Sequence, residues 1–146
     1  MALFQNDIAK GFIQIAQPRD ANALNTARFS YAFIAAAAAA DIIEIGVLPM
    51  FCRVRSMMIV PEGFGAAVNF DVGIMSGAPG ANDAARTMGA EFFSAQAVNT
   101  TTVPMALASG FNLAPVGYAR GIGIKPAAGI ALNANQKFHL LMEYYQ

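Results

Sequence analysis

From Arg28 onward, apolar and polar positions alternate with a period of two. Phe29, Tyr31 and Phe33 alternate with Arg28, Ser30 and Ala32, and Val68, Phe70, Val72 and Ile74 with Asn69, Asp71 and Gly73. Ile122 and Ile124 alternate with Gly121, Gly123 and Lys125. Phe138, Leu140, Met142 and Tyr144 alternate with His139, Leu141, Glu143 and Tyr145. Successive side chains of a strand point to opposite faces, so each run places one set on a buried sheet face and the other towards solvent or a neighbour. Further strands are predicted over residues 42–48 and 52–60, and less regular ones over 92–98 and 129–132. Seven or eight short strands separated by turns predict an all-β domain, a β-sandwich or barrel.

The punctuation agrees. Pro49 ends one strand, and Pro61-Glu62-Gly63 with Gly65 predicts a hairpin turn between Val60 and Val68. Residues 76–83 read as a surface loop whose Asp83 caps a short helix over 84–89. Asn99-Thr100-Thr101-Thr102 opens a second irregular stretch, and residues 133–136 form the last turn. Ala35 to Ala40 favour helix by propensity. Six residues make only about a turn and a half, too short to hold a helix unaided. With strand-like residues on both sides, they read as a strand end plus connection, or as a close-packed contact between subunits.

Residues 1–26 follow another pattern. Gln5, Asn6, Asp7, Gln14, Gln17, Pro18, Asn22 and Asn25 interrupt Leu3, Phe4, Ile8, Phe12, Ile13 and Ile15 without a sustained period. That is too apolar for a solvated tail. It predicts an arm that orders on a partner surface, or an N-terminal strand packed on its own domain.

Composition changes the picture in one direction. The chain is 56% hydrophobic and 12% charged, against roughly 45–50% and about 25% in ordinary globular chains. A small domain has too much surface to hide such an excess, so part of it is expected to be buried against neighbours. Nine basic residues balance nine acidic ones, which leaves no global field for nucleic acid or an anionic membrane. Met1 to Lys10 lack a basic region followed by an apolar core, and the longest apolar run, residues 32–40, is far below the roughly 20 residues of a membrane span. A soluble, untargeted protein is expected, with neither nucleic acid nor membrane as partner.

Candidate chemistry is sparse. His139 is the only histidine and Cys52 the only cysteine, which excludes an internal disulfide and any multi-cysteine metal site. His139 is expected on an outer sheet face, and Cys52 as a buried, inert thiol. Asp41 and Glu44 are three apart, which in a strand sets them on opposite faces and argues against a paired acid and base. Asp71 is expected beside solvent or a cation. Asn82-Asp83 next to Gly80 is too poor in oxygen ligands for calcium. Neither a Walker pattern nor Gly-x-Gly-x-x-Gly occurs, and Gly121-Ile122-Gly123 reads as a bulge or a close backbone approach. Tyr118, Tyr144 and Tyr145 are candidates for a sugar platform, although packing is the commoner use of such rings. No catalytic residue, metal ligand or cofactor is assigned.

The run Asp41-Ile42-Ile43-Glu44-Ile45-Gly46-Val47-Leu48-Pro49, then residues 52–60, then Phe70-Asp71-Val72-Gly73-Ile74 resemble a pattern recurrent in small phage virion proteins. There an Ile/Leu-Gly-x-Leu-Pro strand leads into a second strand, a turn and an x-Asp-Val-Gly strand. Residues 138–145 resemble the closing strand of the same jelly-roll-like sandwiches. The likeness covers about residues 28–75 and 120–145; Met50-Phe51 replace the family's glycine-rich turn, and residues 1–26 carry none of its motifs.

The resemblance implies a capsid decoration (cement) protein. Such proteins lie on the outer capsid surface of the virion, often as trimers at three-fold or quasi-three-fold positions, and tie subunits of the major capsid protein together. The expectation is therefore a non-enzymatic structural protein made in the host cytoplasm, with an arm over residues 1–26 and a β-sandwich over 27–146. It is expected to form a homotrimer and to contact neighbouring subunits through Phe4, Ile8, Phe12 and Ile13. The alternatives are a head-fibre base, neck or tail component, a glycan-binding sandwich, and a hydrolase built on His139.

Overall fold

The structure, a computed structural model, describes residues 2–18, 23–33, 36–39, 41–130 and 136–146. The described strands are β1 (Leu3–Gln5), β2 (Asn25–Ala32), β3 (Ile42–Leu48), β4 (Arg53–Glu62), β5 (Val68–Ile74), β6 (Phe93–Val98), β7 (Val103–Pro104), β8 (Arg120–Pro126) and β9 (Lys137–Tyr145). One short helix, α1 (Ala108–Phe111), lies between β7 and β8. One sheet has the order β1-β3-β8-β5-β6 and the other β2-β9-β4-β7. From β2 onward the chain changes sheet at each step except β5 to β6, which is the jelly-roll arrangement of interlocked Greek keys. The all-β reading holds.

Alternation builds the core. Phe29 and Tyr31 of β2, Val54, Met57 and Ile59 of β4, and Phe138, Leu140, Met142 and Tyr144 of β9 point inward from one sheet. Ile43, Phe70, Val72, Ile122 and Ile124 meet them from the other. An aromatic chain crosses this interior: Tyr31–Phe33, Phe33–Phe64, Phe64–Phe70 and Phe70–Phe138, with centroids 5.1–5.9 Å apart. The first three are edge-to-face, a contact that adds about 0.5–1.5 kcal/mol beyond area burial, and the fourth is tilted. Gly46 makes room for one of these rings: an added Cβ would lie 2.7 Å from the Phe29 ring.

Three local expectations are corrected. Residues 61–65 do not close a hairpin, because β4 and β5 lie in different sheets. The segment instead carries Phe64 across the sandwich into the core, where it is 1% exposed. Residues 84–89 form no helix; Asp83 accepts the Ala85 N–H at 2.8 Å and closes a single turn. Residues 129–132 form no strand over their described part, where Ile130 makes only an isolated bridge to Ala37. That bridge shows what the described alanines do: Ala36–Ala39 are connection, as read, with Ala37 buried beneath Ile130. Residues 133–135, of the expected last turn, lie outside the described residues.

Candidate assembly surfaces

The outer face of the β1-β3-β8-β5-β6 sheet is covered over part of its extent. Glu44, Gly123 and Gly73 align across β3, β8 and β5, and the two glycines leave that part of the face bare. The loop between β5 and β6 lies on it: an added Cβ at Gly123 would strike Met75 at 2.9 Å, and one at Gly73 would strike the Gly89 carbonyl. The close backbone approach expected at Gly121-Ile122-Gly123 is therefore the seat of this loop. Arg86 fastens it through two 2.8 Å hydrogen bonds to the Glu44 carboxylate and a third, 2.7 Å, to the Ser76 carbonyl. Gln5 Nε2 (2.7 Å) and the Gly80 N–H (3.2 Å) also donate to Glu44. Glu44 thus joins β1, β3 and the loop at one buried point. Sequence reasoning missed it; the available signal was a carboxylate inside an otherwise apolar strand.

The N-terminal segment runs along the sandwich edge. β1 pairs in parallel with β3, Leu3 opposite Ile42, and Asp41 accepts the N–H groups of Ala2 (2.6 Å) and Ala38 (2.9 Å). Burial raises the Asp41 carboxyl, but these two donors outweigh it and hold it below its ordinary value. Asn6 donates to the Ile45 carbonyl, Gln17 to that of Met50 (2.9 Å), and the Tyr144 hydroxyl to that of Ala16. Of the four residues assigned to contacts, Phe4 and Ile8 are half-buried and pack on the core. Phe12 and Ile13 point outward, 77% and 53% exposed.

Ile8 and Ile13 come together in a groove of about 340 Å³ with Ile15, Val47, Pro49 and Met50, and among the described residues no charged side chain lines it. Phe51 and Tyr118 stand exposed beside it. The Met50-Phe51 turn puts Phe51 at φ 59°, the conformation a glycine would take more easily, with its N–H on the Val116 carbonyl at 2.7 Å. Tyr118 is far from forming a cluster with the other tyrosines: Tyr144 is wholly buried, and Tyr145 lies opposite Arg53 on β4.

The outer face of β2-β9-β4 is an ordered lattice. Its rows are Thr26-Glu143-Ser56, Arg28-Leu141-Met58, Ser30-His139-Val60 and Ala32-Lys137-Glu62. Ser56 Oγ donates to Glu143 at 2.7 Å, and Lys137 Nζ to Glu62 at 3.0 Å. His139 sits on this outer face, as expected, but is 7% exposed. Its Nε2 is 3.1 Å from Glu62 Oε2, and its Nδ1 is 2.8 Å from Ser30 Oγ and 3.3 Å from Arg28 Nη2. These bonds, His139 first and Lys137 next, hold the Glu62 carboxyl below its ordinary value.

A hydroxyl, an imidazole and a carboxylate in a row invite a nucleophilic reading. The backbone N–H groups of a sheet, however, lie in its plane and serve the ladder, so none is aimed above the face where Ser30 Oγ stands. Arg28 Nη2, 3.3 Å from the His139 ring, is a side-chain donor beside the pair. Cys52 is wholly buried, and burial raises its thiol. Asp71 faces Lys125 at 3.6 Å.

No family model matches the sequence, and no curated protein matches it. Among solved structures, a chain in the capsid of Ralstonia phage GP4 is 32% identical, with a TM-score of 0.89 over 99% of this chain and 98% of that one. The protein therefore belongs to a family of phage capsid proteins. Two further chains share the fold: one from the Cyanophage Pam1 capsid asymmetric unit, 18% identical with a TM-score of 0.62 over 92% of this chain and 94% of that one. The other, from the acidic stable capsid of Helicobacter pylori bacteriophage KHP30, is 12% identical with a TM-score of 0.56 over 87% and 90%.

Proposed function

We propose that this protein is a decoration protein: it attaches to the outer surface of a phage capsid, bridges neighbouring subunits of the major capsid protein, and does so as a homotrimer without catalysing a reaction. The observation that carries the reading is the uncharged groove with Phe12, Ile13, Met50, Phe51 and Tyr118 exposed around it. Exposed apolar patches of a few hundred Å² mark interaction sites on small soluble proteins. Membership of a phage capsid family supplies the setting, the virion. Its role there is mechanical. Each contact is modest once association costs are subtracted, and repetition around a symmetric shell multiplies them.

The test is co-sedimentation with undecorated shells, using the intact chain and a Phe12→Ser/Ile13→Ser variant. Both side chains are exposed, so the fold is retained. The intact chain is expected to pellet at a fixed ratio to capsid subunits, and the variant to bind at least about tenfold more weakly, as loss of two apolar anchors does. Equal pelleting of the two proteins removes the arm from the interface. An intact chain that ignores shells removes the decoration reading and leaves neck, tail and head-fibre positions to be tried.

A further inference from the structure

We infer that the outer face of the β2-β9-β4 sheet, with the cleft beside β2, is where one copy of this chain meets another, Arg28 of one copy facing Asp7 of the next. This rests on the reading of a self-assembling virion protein and names the surface it uses.

On the opposite sheet the β5–β6 loop covers the Glu44-Gly123-Gly73 row, whereas the lattice described above carries Met58 and Leu141, 38% and 39% exposed, at its centre. Around that strip the polar groups are already matched on their own chain: Glu143 by Ser56, and Glu62 by Lys137 and His139. An apolar centre within a satisfied polar border is the anatomy of a subunit interface. Arg28 differs from its neighbours. It is exposed and, among the described residues, faces no carboxylate; its nearest polar partner is the His139 ring.

Arg28 also lines the cleft of about 500 Å³ between β2 and the N-terminal segment, and Asp7, Ile8, Ile13 and Ser30 line the same cleft. Asp7 is exposed and forms no ion pair among the described residues. One cleft thus holds an unpaired cation and an unpaired anion that do not meet within the chain. Identical copies supply both signs to each other, and the zero net charge adds no general repulsion between them. Area points the same way. Three strands over eight residues give a face of roughly 350 Å² in plan, about half of the ~800 Å² per partner in a stable complex. The adjoining cleft adds to it.

Sedimentation of the full chain and of Asp7→Arg, Arg28→Glu and the double variant tests this, with circular dichroism as the check on folding. The wild type is expected to be oligomeric. Each single reversal raises the dissociation constant at least about tenfold, and the double reversal restores it to within about threefold, because the pair is re-formed with its signs exchanged. Met58→Glu weakens association without rescue. The proposal is overturned by a wild type that is monomeric at all concentrations, by single reversals that leave the oligomer unchanged, or by a double variant that adds the two losses. Shell pelleting is followed in parallel. Reversals that abolish pelleting from an intact oligomer assign the face to the shell instead and overturn the proposal, while loss of pelleting by the wild type itself sinks only the decoration reading.

Discussion

Arg86 and Glu44 have side chains 2% and 0% exposed, and an ion pair at that depth is worth most when one partner is removed. Arg86→Met leaves a carboxylate buried beside Gln5 and the Gly80 N–H with no counter-charge. The expected loss is about 3–5 kcal/mol of unfolding free energy, measured by urea denaturation. The Glu44→Leu/Arg86→Met double variant is expected to recover a large part of it, since no uncompensated charge is then left at this point. A recovery near zero would mean that the loop depends on the pair for its position. Gly121 takes part in the same arrangement: an added Cβ there would run into the Glu44 carboxylate and come within 3.0 Å of Arg86. The glycine reading reached this site from the sequence, but the pair did not. Nothing local links residue 44 to residue 86, and period-two counting assigns a face without saying what covers it.

At the scale of elements, β1 is a dependent strand, three residues long and held at an edge. Asp41 secures its entry. Its folded carboxyl lies below the ordinary value, so its contribution is fully present above the unfolded pKa, about 4, and disappears as pH falls through the folded value. Asp41→Asn is therefore expected to flatten the acid limb of stability below about pH 4 and to speed amide exchange along β1, leaving exchange in β9 unchanged. Hydrogen exchange with mass spectrometry, read at two pH values, checks both effects. Elements were also the scale at which the sequence was most legible. Most of β2, β5, β8 and β9 follows from alternation alone, and β3 from its near-continuous apolar run. The pairing did not: Pro61-Glu62-Gly63 has the composition of a hairpin turn, and that composition is equally suited to a passage between sheets. Which sheet receives β5 depends on Phe64 finding Phe33 and Phe70, a contact invisible to turn chemistry. The groove escaped for a similar reason, because its walls come from residues 8–17, 47–50 and 119, far apart in the chain.

For the whole molecule, the alternation of sheets means that almost every strand neighbours one distant in sequence. Loop-closure entropy must be overcome before such pairings stabilise anything, so refolding is expected on the millisecond-to-second scale rather than in microseconds. Cys52, wholly buried between the sheets, is the internal reporter. A thiol reagent is expected to label it at the rate of sandwich opening, slowly in buffer and faster as urea rises. Rapid labelling without denaturant would show that the β3–β4 end opens independently of the rest.

Phe51 carries a consequence for how such a chain evolves. Its ring is held outside the fold by a backbone angle of 59° that the chain adopts at some cost in conformational energy. Glycine at that position relaxes the turn and deletes the ring in the same step. Selection for a sturdier free subunit and selection for a stickier one therefore pull this single codon in opposite directions.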